Sequence, residues 1–202
     1  MTTITPKILL QAYAVGIFPM AETAEDNALY WVEPEERGII PLRALRISHS
    51  LRKQVRRQTF EIRIDSAFSD VIGACAAKTK TRKLTWINTR IRTLYNQLHK
   101  MGHCHSVECW RDGKLVGGLY GVGLGRVFFG ESMFTRATDA SKIALARLVS
   151  ECVARNVPLI DCQMPSPHLA SLGSRSIPRW DFEARLAELV DSRVPVWRER
   201  HA

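Results

Sequence analysis

Polar side chains set into otherwise apolar strands constrain this chain more than any other feature. Between Arg126 and Gln163 the sequence reads RVFFGESMF, then a long amphipathic stretch, then VPLIDCQ, the pattern of strand, helix and strand. The period of two along a strand sets Leu159, Asp161 and Gln163 on one face and Ile160 and Cys162 on the other. Asp161 and Gln163 therefore point together, opposite a strand that carries Glu131. An Asp at a strand end also caps turns, so Asp161 by itself has two readings. Two polar groups facing a further carboxylate favour a site, because buried carboxylates need partners and unpaired ones gather at functional positions.

The intervening run DASKIALARLVSECVARN spaces Leu145, Leu148, Val149 and Cys152 as one face of a helix, with Asp139 as its expected N-cap. A strand, a crossover helix and a second apolar strand make a βαβ unit with parallel strands. Sites in such sheets sit at the carboxyl ends of the strands, where Asp161 and Gln163 fall.

The 202 residues suffice for one good-sized domain with an appendage. No apolar run approaches the roughly 20 residues that span a bilayer, and no basic region precedes an apolar N-terminal stretch. A cytoplasmic protein without membrane attachment is expected. The net charge of +9 is unevenly spread. Arg52, Lys53, Arg56, Arg57, Lys78, Lys80, Arg82 and Lys83 fall in one strongly basic section, which suggests a polyanion, nucleic acid foremost. The five cysteines are odd in number and sit within apolar patterns, so they read as reduced core thiols.

Along the chain, Thr5 and Pro6 open a helix through Leu9 and Tyr13 that stops at Gly16. GIFPM predicts a turn, and AETAEDNALYWVEPEE an acidic loop whose Tyr30 and Trp31 either anchor the core or stack a base. GIIPL reads as a strand ending at Pro41. Ser48 and Ser66 are expected to cap helices either side of the strand FEIRID. The segment AAKTKTRKL reads as a basic loop without periodicity. Asn88 caps a helix that runs to Gly102. Three strands follow, the first two joined by the hairpin signal Asp112-Gly113. The end adds Ile177-Pro178, a helix WDFEARLAELV and a polar tail.

HCHSVEC holds His103, His105 and Cys109, which are zinc-ligand types. No second ligand pair follows at finger-like spacing, so His105 reads as a structural hydrogen bonder and no metal is expected. GESMF begins like a nucleophile elbow at Ser132, but Phe134 replaces its last glycine. The order strand, hairpin, strand, helix, strand fits an acetyltransferase-like (GNAT-like) domain. Those enzymes hold a pyrophosphate on a glycine-containing loop at the helix start, and TRATDASK has no glycine. The predicted class is α/β with a mixed, α+β sheet. It has a small N-terminal domain over residues 1–60 and an acetyltransferase-like catalytic domain over 61–202.

The series GIFPM, LYW, TWI, HCHSVECW, LVGGLYGV, FFGESMF, ASK, LIDCQ, ASLG and IPR resembles, in order and spacing, the leucyl/phenylalanyl-tRNA protein transferases, from about Leu9 to Phe182. The resemblance implies transfer of Leu or Phe, and less well Met, from aminoacyl-tRNA to proteins beginning with Arg or Lys. No cofactor is implied. It makes Asp161, Gln163 and Glu131 the catalytic group. Met133, Phe128, Leu119, Leu145, Leu148 and Ile160 would line the pocket for the transferred side chain. Trp86, with Trp31 or Tyr30, would hold the terminal adenosine. The chain departs from the family at Met20 and Leu148, where aromatics are common, and in QMPSPH.

Because an aminoacyl ester is already activated, the enzyme need only align an amine and manage one proton. Asp161 is expected to polarise Gln163, whose amide oxygen orients the attacking amine. The basic section would meet tRNA phosphates, with affinity falling steeply in salt, and the chain would act as a monomer. An acetyl-CoA-dependent N-acetyltransferase is the rival reading. A non-catalytic RNA-binding domain shares the charge but gives Asp161, Gln163 and Glu131 no reason to converge.

Overall fold

Residues 4–26, 28–79, 83–190 and 197 are described by a computed structural model. In chain order its elements are α1 (Pro6–Ala14), β1 (Phe18–Met20), β2 (Tyr30–Val32), β3 (Glu36–Pro41), α2 (His49–Arg56), β4 (Glu61–Ile64), α3 (Phe68–Ala76) and α4 (Thr89–Lys100). There follow β5 (Cys104–Arg111), β6 (Lys114–Leu124), β7 (Val127–Thr135), α5 (Ala140–Ala154), β8 (Leu159–Gln163), α6 (Pro167–Ser171), β9 (Arg175–Pro178) and α7 (Arg179–Leu189).

The seven-stranded sheet has the order β4-β5-β6-β7-β8-β3-β9. β7 and β8, joined by α5, run parallel, and the other neighbours are antiparallel. The fold is thus α+β with a mixed sheet, as the strand–helix–strand pattern required. Alternation divides the core. Val122, Leu124, Phe129, Leu159 and Ile39 face one way, into a cluster with α1, α3, α4 and α7. Val107, Cys109, Leu119, Phe128, Ile160 and Ile40 face the other, against α5 and Leu51 of α2.

Several local expectations hold. The Thr5, Ser48 and Asn88 side chains accept hydrogen bonds from Ile8, Leu51 and Ile91. Asp112 and Gly113 turn the β5–β6 hairpin with φ of 52° and 69°, the left-handed pair such a turn needs. Others are corrected. Asp139 occupies the N-cap position of α5 as expected, but its side chain makes no capping hydrogen bond. Its backbone is left-handed, at φ 66°, and its carboxylate instead takes Gln54 and Lys142 at 2.9 Å each. Ser66 leaves α3 uncapped and donates to Glu108, whose other oxygen accepts the Ala67 amide. The expected turn at GIFPM and the aromatic loop become β1 and β2, an antiparallel pair of their own. Within the expected polar tail, Trp197 is buried.

Candidate active site

Asp161 lies on β8 with no exposed surface. Its neighbour was not anticipated. Arg37 of β3 donates Nε to Oδ1 at 2.8 Å and Nη2 to Oδ2 at 2.6 Å. Its Nη1 reaches the Gly16 carbonyl at 2.7 Å. Phe18 and Phe182 flank the guanidinium, with centroids 4.8 and 4.4 Å from Cζ. Fork-to-fork hydrogen bonding and two ring faces make such burial tolerable. The lone basic residue on the apolar strand ERGIIP carries the same sequence signal that marks Asp161.

The expectation that Asp161 polarises the Gln163 side chain is not met. Asp161 Oδ1 accepts the Gln163 backbone N–H at 2.8 Å. That bond secures Gln163 in a left-handed conformation, φ 63°, uncommon for a side chain of its size. From there Gln163 Nε2 donates to Glu131 Oε1 at 2.7 Å. The structure does gather Asp161, Gln163 and Glu131, and it links them in that order.

Glu131 owes its position to a β-bulge. The β6–β7 register passes from Tyr120 opposite Ser132 to Gly121 opposite Gly130, which leaves Glu131 as the extra residue. A Cβ on Gly121 would come within 2.2 Å of the Phe129 carbonyl oxygen, so only glycine fits beside the bulge. Parity flips there. Glu131 turns toward α1 and α4, while Met133, two residues on, packs on the α5 side. The Tyr13 hydroxyl donates to Glu131 Oε1 at 2.6 Å, and that of Tyr95 to Oε2 at 3.1 Å. The two hydroxyl oxygens also lie in contact with each other and share the carboxylate. Both tyrosines read in sequence as inward-facing helix residues, and nothing there marked them as partners of Glu131.

Burial raises the Glu131 carboxyl to about 7, and the Asp161 charge pushes the same way. The tyrosine hydrogen bonds and Arg37 oppose that rise. Burial likewise holds the Tyr13 and Tyr95 hydroxyls well above their ordinary range, with the Glu131 charge adding to the effect.

β7 and β8 pair only over Val127–Phe129 and Leu159–Asp161. Beyond that the strands part, and a cavity of about 230 Å³ opens between them. Leu119, Met133, Leu145, Leu148 and Ile160 line it together with Glu131. Ile40, Cys162 and the segment through Ser166, His168 and Leu169 also contribute. Phe128 is not among the lining residues. It lies where the strands are still paired, opposite Ile160, and is wholly buried behind the cavity.

Tyr30 and Trp31 are exposed on β2. Trp86 is half-buried just before α4, whose cap Asn88 reaches back to the Asp26 carbonyl at 2.6 Å. The basic section, continuous in sequence, is divided in space. Exposed Arg52, Lys53, Arg56 and Arg57 ride on α2, on the α5 side of the sheet. Lys78 and Lys83 follow α3, which packs on the opposite side, and Lys78 pairs with Glu25 at 2.8 Å. Lys80 and Arg82 lie outside the described residues. His105 is a structural hydrogen bonder, to Asp65 at 2.7 Å and the Gly102 carbonyl at 3.2 Å. No described helix is long and apolar enough to cross a membrane.

Residues 39–187 match the family model for leucyl/phenylalanyl-tRNA protein transferase, and residues 2–35 match the model for that enzyme's N-terminal domain. Both matched models are those of an aminoacyltransferase. With matches over most of its length, the chain belongs to the leucyl/phenylalanyl-tRNA protein transferase family. Among solved structures it is similar to a functionally unknown conserved protein from Staphylococcus epidermidis, at 9% identity and a TM-score of 0.45. That similarity covers 88% of this chain and 66% of the other.

Proposed function

We propose that this aminoacyltransferase moves leucine or phenylalanine, and less readily methionine, from aminoacyl-tRNA to the N-terminal Arg or Lys of acceptor proteins. The product would carry an N-degron and be destined for degradation in the cytoplasm. The observation that carries this reading is the junction at Glu131, where an apolar cavity opens beside a buried carboxylate that Gln163 already touches. At about 230 Å³ the cavity is smaller than the roughly 300 Å³ at which small-molecule sites begin. It suits one apolar side chain.

In this reading Leu119, Met133, Leu145, Leu148 and Ile160 surround the transferred side chain, and Glu131 receives its α-amino group. Gln163 Oε1, which accepts no hydrogen bond among the described residues, takes one from the attacking amine. Asp161 is a positioning residue that holds the Gln163 backbone. The N–C bond forms as the ester C–O bond breaks, and the amine proton ends on the ribose oxygen. Trp86 with Trp31 or Tyr30 stacks the terminal adenine. Phosphates meet Arg52, Lys53, Arg56 and Arg57 on one side of the sheet and Lys78 and Lys83 on the other, and in sequence Lys80 and Arg82 extend the second set.

The element order and the parting of β7 from β8 support an acetyltransferase-like domain. Acetyl-CoA as substrate is disfavoured. An anion at the start of α5 would meet the Asp139 carboxylate, and Gln54 crosses over it. The test is transfer of labelled leucine from charged tRNA to a protein beginning with Arg, beside a twin beginning with Met. Label in the Arg protein alone is expected. No label, or equal label in both, would refute the proposal.

A further inference from the structure

Behind the cavity stands a side chain from the far end of the chain. Trp197 is 6% exposed although it lies beyond α7. Its ring centroid is 5.0 Å from Phe128 and 5.4 Å from His105, and the Arg155 guanidinium carbon sits 5.3 Å from it. The seat is made by an absence of side chain, since a Cβ on Gly123 would fall 2.3 Å from Trp197 Cδ1. The buried indole N–H finds no acceptor among the described residues. Packing therefore holds the ring, and packing is what it transmits.

Phe128 is the receiving group. It is fully buried, pairs with Gly123 on β6 and with Ile160 on β8, and extends its ring over Gly121, where a Cβ would lie 2.5 Å from Phe128 Cε1. Ile160 and Leu119, from the same core cluster, line the cavity. Trp197, Phe128 and the cavity-wall residues Ile160 and Leu119 thus belong to one packed cluster.

We propose that Trp197 is a positioning residue for side-chain selection. It is a strut that holds Phe128 forward and so limits the depth of the aminoacyl pocket. This rests on the transferase reading above. In close-packed interiors a vacated ring is partly refilled by its neighbours. Without Trp197, Phe128 drops toward Gly123, the pocket deepens, and phenylalanine gains on leucine.

The test compares kcat/KM for tRNA charged with Phe and with Leu. Trp197→Ala is expected to raise the Phe-to-Leu ratio about tenfold, the scale on which an apolar pocket senses one or two carbons. Trp197→Phe should stay near wild type. Gly123→Ala, which unseats the indole while leaving it in the chain, should move the ratio in the same direction as Trp197→Ala. Leu186→Ala, in the cluster on the other face, serves as a destabilised control with an unchanged ratio. An unchanged ratio in both Trp197→Ala and Gly123→Ala, or an equal shift in Leu186→Ala, overturns the strut. Wild-type protein that transfers neither residue counts against the transferase reading instead. The strut is then read from a crystal structure of Trp197→Ala. Phe128 rotated toward Gly123 supports it, and Phe128 unmoved overturns it.

Discussion

On one face of β8 the Asp161 carboxylate is closed in by Arg37 and the Gln163 backbone amide, and two aromatic rings flank the guanidinium. On the other face Ile160 and Cys162 look into a cavity with room for a side chain. The Asp161 carboxylate has its strong partners supplied from within the protein, so it can hold geometry but has little left for a substrate. The apolar face holds no fixed partner and is shaped to receive one. Glu131 sits at the seam between them. It is held by neutral donors, Tyr13, Tyr95 and Gln163, and burial raises its carboxyl to about 7. In the proposed reaction the rigid side and the receptive side, meeting at Glu131, together align the two substrates.

The comparison breaks most easily at Arg37. Arg37→Ala strands the Asp161 charge in the core, and removal of one partner from a buried pair costs about 3–5 kcal/mol. The urea midpoint should fall accordingly, and transfer should be lost together with the Gln163 conformation. A midpoint near wild type would mean that the polar face is not sealed.

Glu131 gives the next largest effect. An unfolded glutamate titrates near 4.5, and this one near 7 in the fold, so between those values the folded protein binds the extra proton. The associated stability is full below the lower value and is lost as pH rises through about 7, on the order of 3 kcal/mol. Glu131→Gln should flatten that fall in urea titrations across pH 5 to 8. Wild-type kcat/KM should rise with pH with a midpoint near 7, because in the proposed reaction the ionised form receives the amino group. Persistence of that rise in Glu131→Gln would remove Glu131 from the role.

On the receptive face, Leu148→Phe fills part of the cavity. It should disfavour phenylalanine relative to leucine by about 1–3 kcal/mol in transition-state terms, measured by competition between the two charged tRNAs, with little change in the urea midpoint. The smallest effect belongs to Tyr95→Phe. Loss of one hydrogen bond to Glu131 costs about 1 kcal/mol, and the activity midpoint should move to higher pH, since that bond lowers the Glu131 value. A downward shift would contradict the arrangement.

Much of this site was legible before any coordinates. Period-two alternation placed Asp161 and Gln163 on one face because alternation is a local property of an extended backbone. The amphipathic run after Asp139 announced α5, and with it the parallel β7–β8 pair, by the same kind of argument. The Arg37 ion pair was hidden, since its partners lie 124 positions apart. The bulge at Glu131 was hidden as well. Regular alternation puts Glu131 and Met133 together, and only the pairing with β6 separates them. The basic section misled in the opposite way, because nearness in sequence says nothing about which face of a sheet a helix covers.

By itself, then, the sequence determined the strand–helix–strand unit of β7, α5 and β8, the mixed sheet and the identity of the polar residues at the ends of those strands, because these follow from side-chain periodicity. The tertiary structure decided what each of them touches: Arg37 on Asp161, the tyrosines on Glu131, Trp197 behind Phe128. Those pairings depend on register and on how distant segments fill shared volume, and no local pattern records either.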